Sequence, residues 1–367
     1  MNTQEPKNVV DIMYDIERMI QNPSDNFVTS PVTLYYSLLV LAQITAGKAH
    51  EDIISLLHVD DEHLVEMTNL LYSAFNSDKD CKVQLDSSLW INQSFDLKYD
   101  YLDMLKNQIH SLVAPVDMGN EATDQAIQTW VNDHTGHLLE DAVKNIQTDA
   151  LTFFELFATL YYKSGWKNEF DIDDSYEGDF FVNDDHTVTC TYMNNESAGR
   201  YVACDHFKGA TKSLSGGYEM ALILPEDHMN LEDVLDDERI YAFMKGTTGE
   251  EAYVDLTLPR FEVGTNDDLM IKFRQMGLSS LTDDLVDFSP VIVDTSETLI
   301  SKASQNTRLI VNEEGVEGAS YVEIAAVRGA AFRMLNTYKL TLDRPFIFAV
   351  TNRGLPLFVG HILNPVE

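Results

Sequence analysis

The spacing of apolar residues changes its period part-way along the chain, and this change constrains the fold most strongly. In the first half, apolar residues recur every three to four positions, as in residues 9–20 and 123–139, which is typical of amphipathic helices. In the second half, short apolar or alternating runs such as residues 216–225 and 251–263 are bounded by glycine or proline, which is typical of strands. No internal repeat or linker divides the 367 residues, so the pattern predicts one α+β domain over residues 1–367.

Further helices follow from the same pattern and from helix-start signals. Ser30 precedes Pro31, which places a polar residue before a proline at a first helical position, so a helix is expected from there to about Gly47. Other helices are expected from about Ala49 onward and over residues 61–75, 98–111 and 122–143.

The composition excludes several classes of partner. The chain has 60 acidic and 25 basic residues and a formal net charge of −35, so its surface repels nucleic acid and anionic membranes. No apolar run approaches the roughly 18–20 residues that span a bilayer. The first residues, MNTQEPKNVV, lack a basic region followed by an apolar stretch, so no signal peptide is predicted. We expect an extracellular protein if the chain is a trimmed mature form, with the cytoplasm as the alternative.

The sequence contains no pattern typical of a catalytic or metal site. It has no G-x-S-x-G, Walker, G-x-G-x-x-G or H-E-x-x-H motif, and nothing that positions a nucleophile beside a base. Cys81, Cys190 and Cys204 match no zinc spacing, so buried thiols are expected, with a Cys190–Cys204 bridge as the alternative. We therefore predict a protein that is not an enzyme and that needs no cofactor or metal.

Residues 314–324, EGVEGASYVEI, combine the properties of a loop and of a strand. With a period of two, one face begins with Val316, Gly318 and Ser320 and ends apolar, so it is suited to lie on a core. The opposite face begins with Glu317 and Ala319 and is suited to face water. Local pattern alone favours an edge strand, but the glycines raise the cost of ordering it. The segment is therefore able to change from loop to strand without burying a charge.

Five segments, in order along the chain, resemble the serpin family. They are NFVTSPVTLYYSLLVLAQITAGKAHEDI (26–53), TWVNDHTGHL (129–138), LYYKSGWKNEF (160–170), IVNEEGVEGAS (310–320) and DRPFIFAVTNRGLPLFVGHILNP (343–365). The resemblance covers nearly the whole chain and implies a metastable fold with about eight to nine helices, three β-sheets and an exposed reactive-centre loop at about residues 315–340. It also implies that a serine protease cuts this loop and forms an acyl-enzyme, and that the cut loop inserts into the main sheet as a new strand.

The resemblance assigns the hinge of that loop to Glu313, Gly315, Val316, Gly318, Ala319 and Ser320. The last three are small, as rapid insertion requires, whereas Val316 is larger than the threonine or serine that is usual there. Tyr321 stands in a normally small run, but it lies on the outward face and should be tolerated.

The resemblance also aligns residues at two control points of the main sheet, the breach and the shutter. At the breach, Arg260 is the basic partner of the hinge glutamate and Trp166 is the family tryptophan. At the shutter, Ser30 and Thr33 match the family pattern. Gln305 replaces the usual histidine and Ala158 replaces the usual asparagine, so an altered hydrogen-bond network is expected there, with Gln305 bonding Ser30 or backbone.

The scissile bond depends on the length of the hinge segment. The commonest spacing in the family places it at Gly329-Ala330, and a spacing one residue shorter places it at Arg328-Gly329. Arg328 would enter an acidic pocket and favour trypsin-like proteases, whereas a small residue would suit elastase-like enzymes. We favour Arg328, with Arg333 as a third candidate.

Two functions of different classes are compatible with this resemblance. The first is suicide inhibition of serine proteases through a covalent complex, and the second is a non-inhibitory serpin that acts as a binding or chaperone-like protein. The hinge contains no proline, which favours inhibition. The helix expected at 61–75 carries no lysine or arginine, so no heparin binding is expected. We expect a monomer.

Overall fold

Ten α-helices and fifteen β-strands make up the part of the chain that the computed structural model describes, which is residues 8–75, 80–283, 285–293, 298, 300, 303–317 and 335–366. The helices are α1 (Val9–Ile20), α2 (Pro31–Ile44), α3 (Gly47–Leu57), α4 (Leu64–Ala74), α5 (Tyr99–Gln108), α6 (Glu121–His134), α7 (Glu140–Val143), α8 (Leu231–Leu235), α9 (Glu238–Met244) and α10 (Leu269–Gln275). None of the described helices is long and apolar enough to cross a membrane.

The strands alternate with these helices in the first half of the chain and dominate the second half. They are β1 (Phe27–Thr29), β2 (Cys81–Asn92), β3 (Leu112–Val116), β4 (Phe154–Gly165), β5 (Tyr176–Asn183), β6 (His186–Ala203), β7 (Phe207–Ser213), β8 (Tyr218–Pro225), β9 (Glu250–Pro259), β10 (Phe261–Asp268), β11 (Ser304–Val311), β12 (Gly315–Val316), β13 (Asn336–Thr341), β14 (Phe346–Asn352) and β15 (Leu355–Ile362).

The described strands form two hydrogen-bonded sheets. The main sheet has six strands in the order β10-β11-β12-β4-β2-β3. The second sheet has nine strands in the order β1-β15-β14-β8-β7-β6-β9-β13, with β5 paired to β6 beside this path. Most neighbouring strands are antiparallel, and the parallel pairs are β2 with β3 and β9 with β13.

The described strands form two hydrogen-bonded sheets where three were expected, because one long strand joins what would be two of them. Strand β6 has 18 residues and pairs with β5 and β9 over much of its length, then with β7 at Tyr201–Ala203. The number of helices also exceeds the expected eight to nine, because α7 and α8 are short segments of four and five residues.

The run at 251–263, expected from its alternation as one strand, is two strands. Strand β9 belongs to the second sheet and β10 to the main sheet, and Arg260 lies at the break between them. This break places the side chain of Arg260 at one end of the main sheet, beside the end of β11.

Helix α2 fills the space between the two sheets. Its sequence is apolar on nearly every side, and thirteen of its fourteen residues are buried, which is typical of a helix within a core. It packs against β15 of the second sheet and β4 of the main sheet. On the other face of the main sheet, α6 packs on β4, and Ile127 and Val131 join Trp90 in a separate small cluster. The core therefore holds the middle of the main sheet from both sides.

Candidate functional site: the hinge and the gap in the main sheet

The chain re-enters the main sheet directly after β11 through a tight turn. The side-chain oxygen Oδ1 of Asn312 accepts hydrogen bonds from the backbone N–H groups of Glu314 (3.1 Å) and Gly315 (3.2 Å). The backbone N–H of Asn312 donates to the carbonyl oxygen of Gly315 at 3.0 Å, so the turn is closed on both sides. Strand β12 then lies between β11 and β4, with Val316 opposite Val311 on one side and Ser164 on the other.

The burial of Val316 and the absence of a Cβ atom at Gly315 allow β12 to dock in this position. Val316 is fully buried in the main core, so its docking removes an entire valine side chain from water. At Gly315, a Cβ atom would lie 2.1 Å from the carbonyl oxygen of Ser164, so only glycine fits against β4. Val316 therefore faces the core, as expected from the sequence, whereas Glu317, which was expected to face water, is half-buried.

Strand β12 ends at Val316 because the backbone of Glu317 leaves the extended conformation. Its φ angle is 49°, in the left-handed region that costs a residue with a Cβ atom roughly 1–2 kcal/mol. One carboxylate oxygen of Glu317 accepts a hydrogen bond from the hydroxyl of Tyr161 at 3.2 Å, and the other has no partner among the described residues. Burial raises the pKa of Glu317 above its usual value, against the opposing effects of this hydrogen bond and of Lys163 and Lys82.

A buried ion pair at the breach holds the start of the hinge. Arg260 donates two hydrogen bonds to the carboxylate of Glu313, from Nη2 at 2.6 Å and from Nε at 3.1 Å. The hydroxyl of Ser175 donates a third at 2.8 Å. Burial would raise the pKa of Glu313, but the hydrogen bonds from Arg260 and Ser175 outweigh it, so the pKa lies below its usual value. The pair is more than a surface contact, because the Glu313 side chain is only 8% exposed, although Arg260 is 45% exposed.

Trp166 binds the backbone on the other side of the same turn. Its indole Nε1 donates to the carbonyl oxygen of Asn312 at 2.8 Å, and its backbone N–H donates to that of Glu314 at 3.1 Å. The backbone N–H of Phe170 reaches the carbonyl oxygen of Glu313 at 3.4 Å. Three consecutive hinge carbonyls are therefore bound by the short segment that follows β4.

Below β12, the facing edges of β4 and β11 are not paired with each other among the described residues, and we call the space between these edges the gap. Among the described residues, β4 pairs only with β2 and β12, and β11 pairs only with β10 and β12. Leu156, Ala158 and Leu160 on β4 pack against the core yet stay half-buried. An additional strand in this gap would pair with both edges and complete the burial of these side chains.

The shutter, midway along the gap, is built around Gln305 of β11. Its amide nitrogen donates to the carbonyl oxygen of Ser30 at 3.0 Å and to the hydroxyl of Thr33 at 2.9 Å. Its amide oxygen accepts a 2.6 Å hydrogen bond from the hydroxyl of Thr29. Gln305 thus bonds backbone at Ser30, as expected from the sequence, while the buried hydroxyl of Ser30 itself has no partner in the part of the chain that the structure describes.

Comparison with known proteins gives the same family over nearly the whole chain. Residues 11–365 match the family model described as "Serpin (serine protease inhibitor)". The chain belongs to the serpin family. Among curated relatives, an alpha-1-antiproteinase of Ovis aries is 25% identical over 362 residues, covering 95% of this chain and 84% of the relative.

Solved structures show the same fold. The thermophilic serpin tengpin in its native state superposes with a TM-score of 0.83 at 18% identity, covering 98% of this chain and 96% of the other. Thyroxine-binding globulin, solved in complex with thyroxine, superposes with a TM-score of 0.81 at 21% identity, covering 98% of this chain and 99% of the other. Both structures therefore share the architecture of this chain.

Some residues assigned by sequence to the serpin loop lie outside the described part of the chain. These are Gly318, Ala319 and Ser320 of the hinge, Tyr321, the candidate scissile residues Arg328, Gly329 and Ala330, and Arg333. The described residues bring together Glu313, Gly315, Val316, Arg260 and Trp166 at the breach, and Ser30, Thr33 and Gln305 at the shutter.

Sequence reasoning missed four residues of this site. Ser175 completes the bonding of Glu313, Thr29 bonds Gln305, and Tyr161 bonds Glu317. Lys212, the fourth, lies beneath Trp166. Each comes from a segment far from its partner in sequence, so no local pattern indicates the contact.

The other expected site chemistry concerns cysteine and metal. The three cysteines, all of which the structure describes, form no disulfide, so the Cys190–Cys204 bridge kept as the alternative is absent. Burial raises the pKa of the Cys190 thiol. No cluster of three or more His, Cys, Asp or Glu side chains suited to a metal ion occurs within the described residues.

Proposed function

We propose that this serpin is a suicide-type inhibitor of serine proteases that works by inserting its cleaved loop between β4 and β11. The observation that carries the proposal is the path of the chain at Gly315 and Val316, which enter the main sheet between β4 and β11, at the top of the gap. A protease that cuts further along would release the rest of the segment to follow Val316 into the gap.

The gap is long enough to displace an attached protease. Strand β4, which forms one wall, has 12 residues, and at about 3.3 Å per residue it extends about 40 Å. A protease held by an ester to the cut end of the loop would be carried over a distance of this order and pressed against the far end of the sheet. Distortion of its active site would then block deacylation.

Three terms favour insertion. New ladder hydrogen bonds contribute about 1 kcal/mol each, on the order of 10 kcal/mol for a full strand. Further apolar burial, including that of the half-buried Leu156 and Leu160, adds to this term. Straightening Glu317 from its left-handed φ of 49° also relieves the local backbone cost.

The residue directly before the scissile bond, here called the bait residue, determines which proteases would be trapped. We favour Arg328 and therefore trypsin-like targets, with Gly329-Ala330 and elastase-like targets next. The test is incubation of the full chain with trypsin and with elastase, followed by denaturing gels and mass spectrometry of the released C-terminal peptide. Inhibition gives a covalent band of summed mass, and a peptide beginning at Gly329 identifies Arg328 as the bait.

A pair of variants separates insertion from cleavage. Val316→Glu would place a charge at a fully buried site, so insertion should fail and the protease should cut the loop and leave active. Glu314→Gln alters an exposed residue two positions away and should inhibit normally. If both variants form the covalent complex equally well, insertion between β4 and β11 is not what traps the protease.

A non-inhibitory binding role is the second candidate. It is favoured by the size of Val316, which occupies the top of the gap before any cleavage. In that case trypsin and elastase would cut the loop without forming a covalent band.

A further inference from the structure

A lysine without a carboxylate partner is buried beneath the breach. Lys212 lies on β7, directly opposite Met220 of β8, and its relative exposure is only 1%. None of the described carboxylates forms an ion pair with it. Lysine is almost never fully buried unless it is paired, because removing an ammonium group from water is costly. Lys212 therefore requires an explanation other than packing.

The surroundings of Lys212 are polar but uncharged, and two aromatic rings enclose it. Its Nζ donates to Oδ1 of Asn195 at 2.9 Å and lies 3.5 Å from the hydroxyl oxygen of Ser197, both on β6. The same nitrogen lies 4.2 Å from the ring centre of Phe170 and 5.7 Å from that of Trp166. These elements contribute no titratable side chain to the contact, so the state of the amine depends mainly on burial.

The two rings that contact Lys212 belong to residues that bind backbone carbonyl groups of the hinge turn. Trp166 donates hydrogen bonds to the carbonyl oxygens of Asn312 and Glu314, and Phe170 donates one to that of Glu313. In addition, the backbone N–H of Lys167 donates to the carbonyl oxygen of Ser213, next to Lys212 on β7. A single packed path therefore leads from the amine through Trp166 and Phe170 to the hinge.

We propose that Lys212 is a positioning residue of the hinge, whose amine supports Trp166 and Phe170 and whose proton controls how firmly these residues hold the hinge turn. We call the breach closed when Trp166 and Phe170 bind the hinge turn. A neutral amine adds no buried charge to this closed state. With the amine charged, the closed breach carries an unpaired buried cation, and opening of the breach lets water reach it. The role in loop insertion rests on the proposed inhibitory function, whereas the coupling between the proton and the hinge does not.

The direction of the pH effect follows from the burial of the amine. Burial lowers the pKa of Lys212 from 10.5 to about 7. A lowered lysine pKa means that the closed state gains stability over a hydrated open state as pH rises from about 7 to 10.5, and loses it as pH falls. Complete hydration on opening would make opening up to about 50-fold more favourable at pH 7 than at pH 9.

The first experiment follows Trp166 by ¹⁹F NMR in the full chain labelled with 5-fluorotryptophan. The chain has three tryptophans, and a Trp166→Phe variant assigns the resonance. We expect the Trp166 resonance to titrate with a midpoint at about pH 7, and we expect Lys212→Met to abolish that titration. Lys208→Met is the matched control, because Lys208 lies on the same strand but is paired with Glu226 and partly exposed, so the titration should persist. A resonance that does not titrate, or that titrates equally in Lys212→Met, overturns the proposal.

The second experiment measures the hinge bonds themselves by hydrogen exchange. After correction for intrinsic exchange rates, the backbone amides of Trp166 and Phe170 should be better protected at pH 9 than at pH 7. Their protection should be equal at the two pH values in Lys212→Met, and equal protection in the wild type contradicts the proposal.

If Lys212→Met does not fold, Asn195→Leu supplies a second variant. It removes the hydrogen-bond acceptor of Nζ, so the titration of Trp166 should move to lower pH, and an unchanged midpoint overturns the proposal. None of these measurements needs a protease. A chain that shows the coupling but traps neither trypsin nor elastase would refute the proposed function and leave the role of Lys212 intact.

Discussion

Replacement of Gln305 by alanine should weaken the shutter and lower the free energy of unfolding of the uncleaved chain. The change removes three hydrogen bonds, to Thr29, Ser30 and Thr33. The Ser30 carbonyl still accepts from Leu34 and Thr33, but the hydroxyl of Thr29, fully buried, loses its acceptor. An unsatisfied buried hydroxyl costs about 1–3 kcal/mol, and the two other lost bonds cost about 1 kcal/mol each, so we expect the free energy of unfolding to fall by about 3–5 kcal/mol.

The assay is urea unfolding of the uncleaved chain, followed by circular dichroism. The control is Asn306→Ala, because Asn306 is the next residue on β11 and its side chain makes no hydrogen bond among the described residues. The free energy of unfolding of Asn306→Ala should stay within about 0.5 kcal/mol of the wild-type value. Equal stability of the two variants would refute the view that Gln305 ties β11 to the start of α2.

Three further predictions concern the hinge and the far end of the second sheet. Arg260→Met should lower the free energy of unfolding by about 1–2 kcal/mol at pH 7, because the ion pair with Arg260 keeps the pKa of Glu313 low. In acid unfolding curves, this difference from wild type should vanish as pH falls through that lowered pKa. Gly315→Ala should destabilise the uncleaved chain by about 1–3 kcal/mol, since its Cβ meets the Ser164 carbonyl, and unchanged thermal stability would show that β12 does not dock there. Burial lowers the pKa of His361 from 6.5 to about 4. The free energy of unfolding of the wild type should therefore fall by up to about 3 kcal/mol as pH falls from 6.5 to about 4, and that of His361→Gln should not show this fall.

Local periodicity predicted the elements that carry one strong amphipathic or apolar pattern. Helix α1 spans the predicted residues, and the run at 216–225 contains β8. Periodicity failed for β2, whose last six residues are all buried, because a strand covered on both faces loses its alternation. It also failed at Arg260, where the apolar positions shift by one residue between Leu258 and Phe261, and this shift coincides with the crossing between the two sheets.

The breach and the shutter were accessible to sequence reasoning only through the family resemblance. The resemblance aligned Glu313 with Arg260 and placed Gln305 at the shutter, and the structure shows the contacts of all three. Thr29 was not anticipated, because its partner Gln305 lies 276 residues away in the sequence and no local pattern indicates the contact. Lys212 was not anticipated either, because a lysine in an otherwise ordinary strand gives no sign of its burial.

Hydrogen exchange of β4 and β11, measured before and after cleavage of the loop, shows whether the cut loop inserts between these two strands. In the intact chain, the amides of these strands that face the gap should exchange rapidly below β12, because no ladder joins the two strands there among the described residues. After a protease cuts the loop, we expect the amides on the facing edges of β4 and β11 to become strongly protected from exchange. The amides of β2 and β10 should show no comparable change. Unchanged exchange on β4 and β11 after complete cleavage would contradict it.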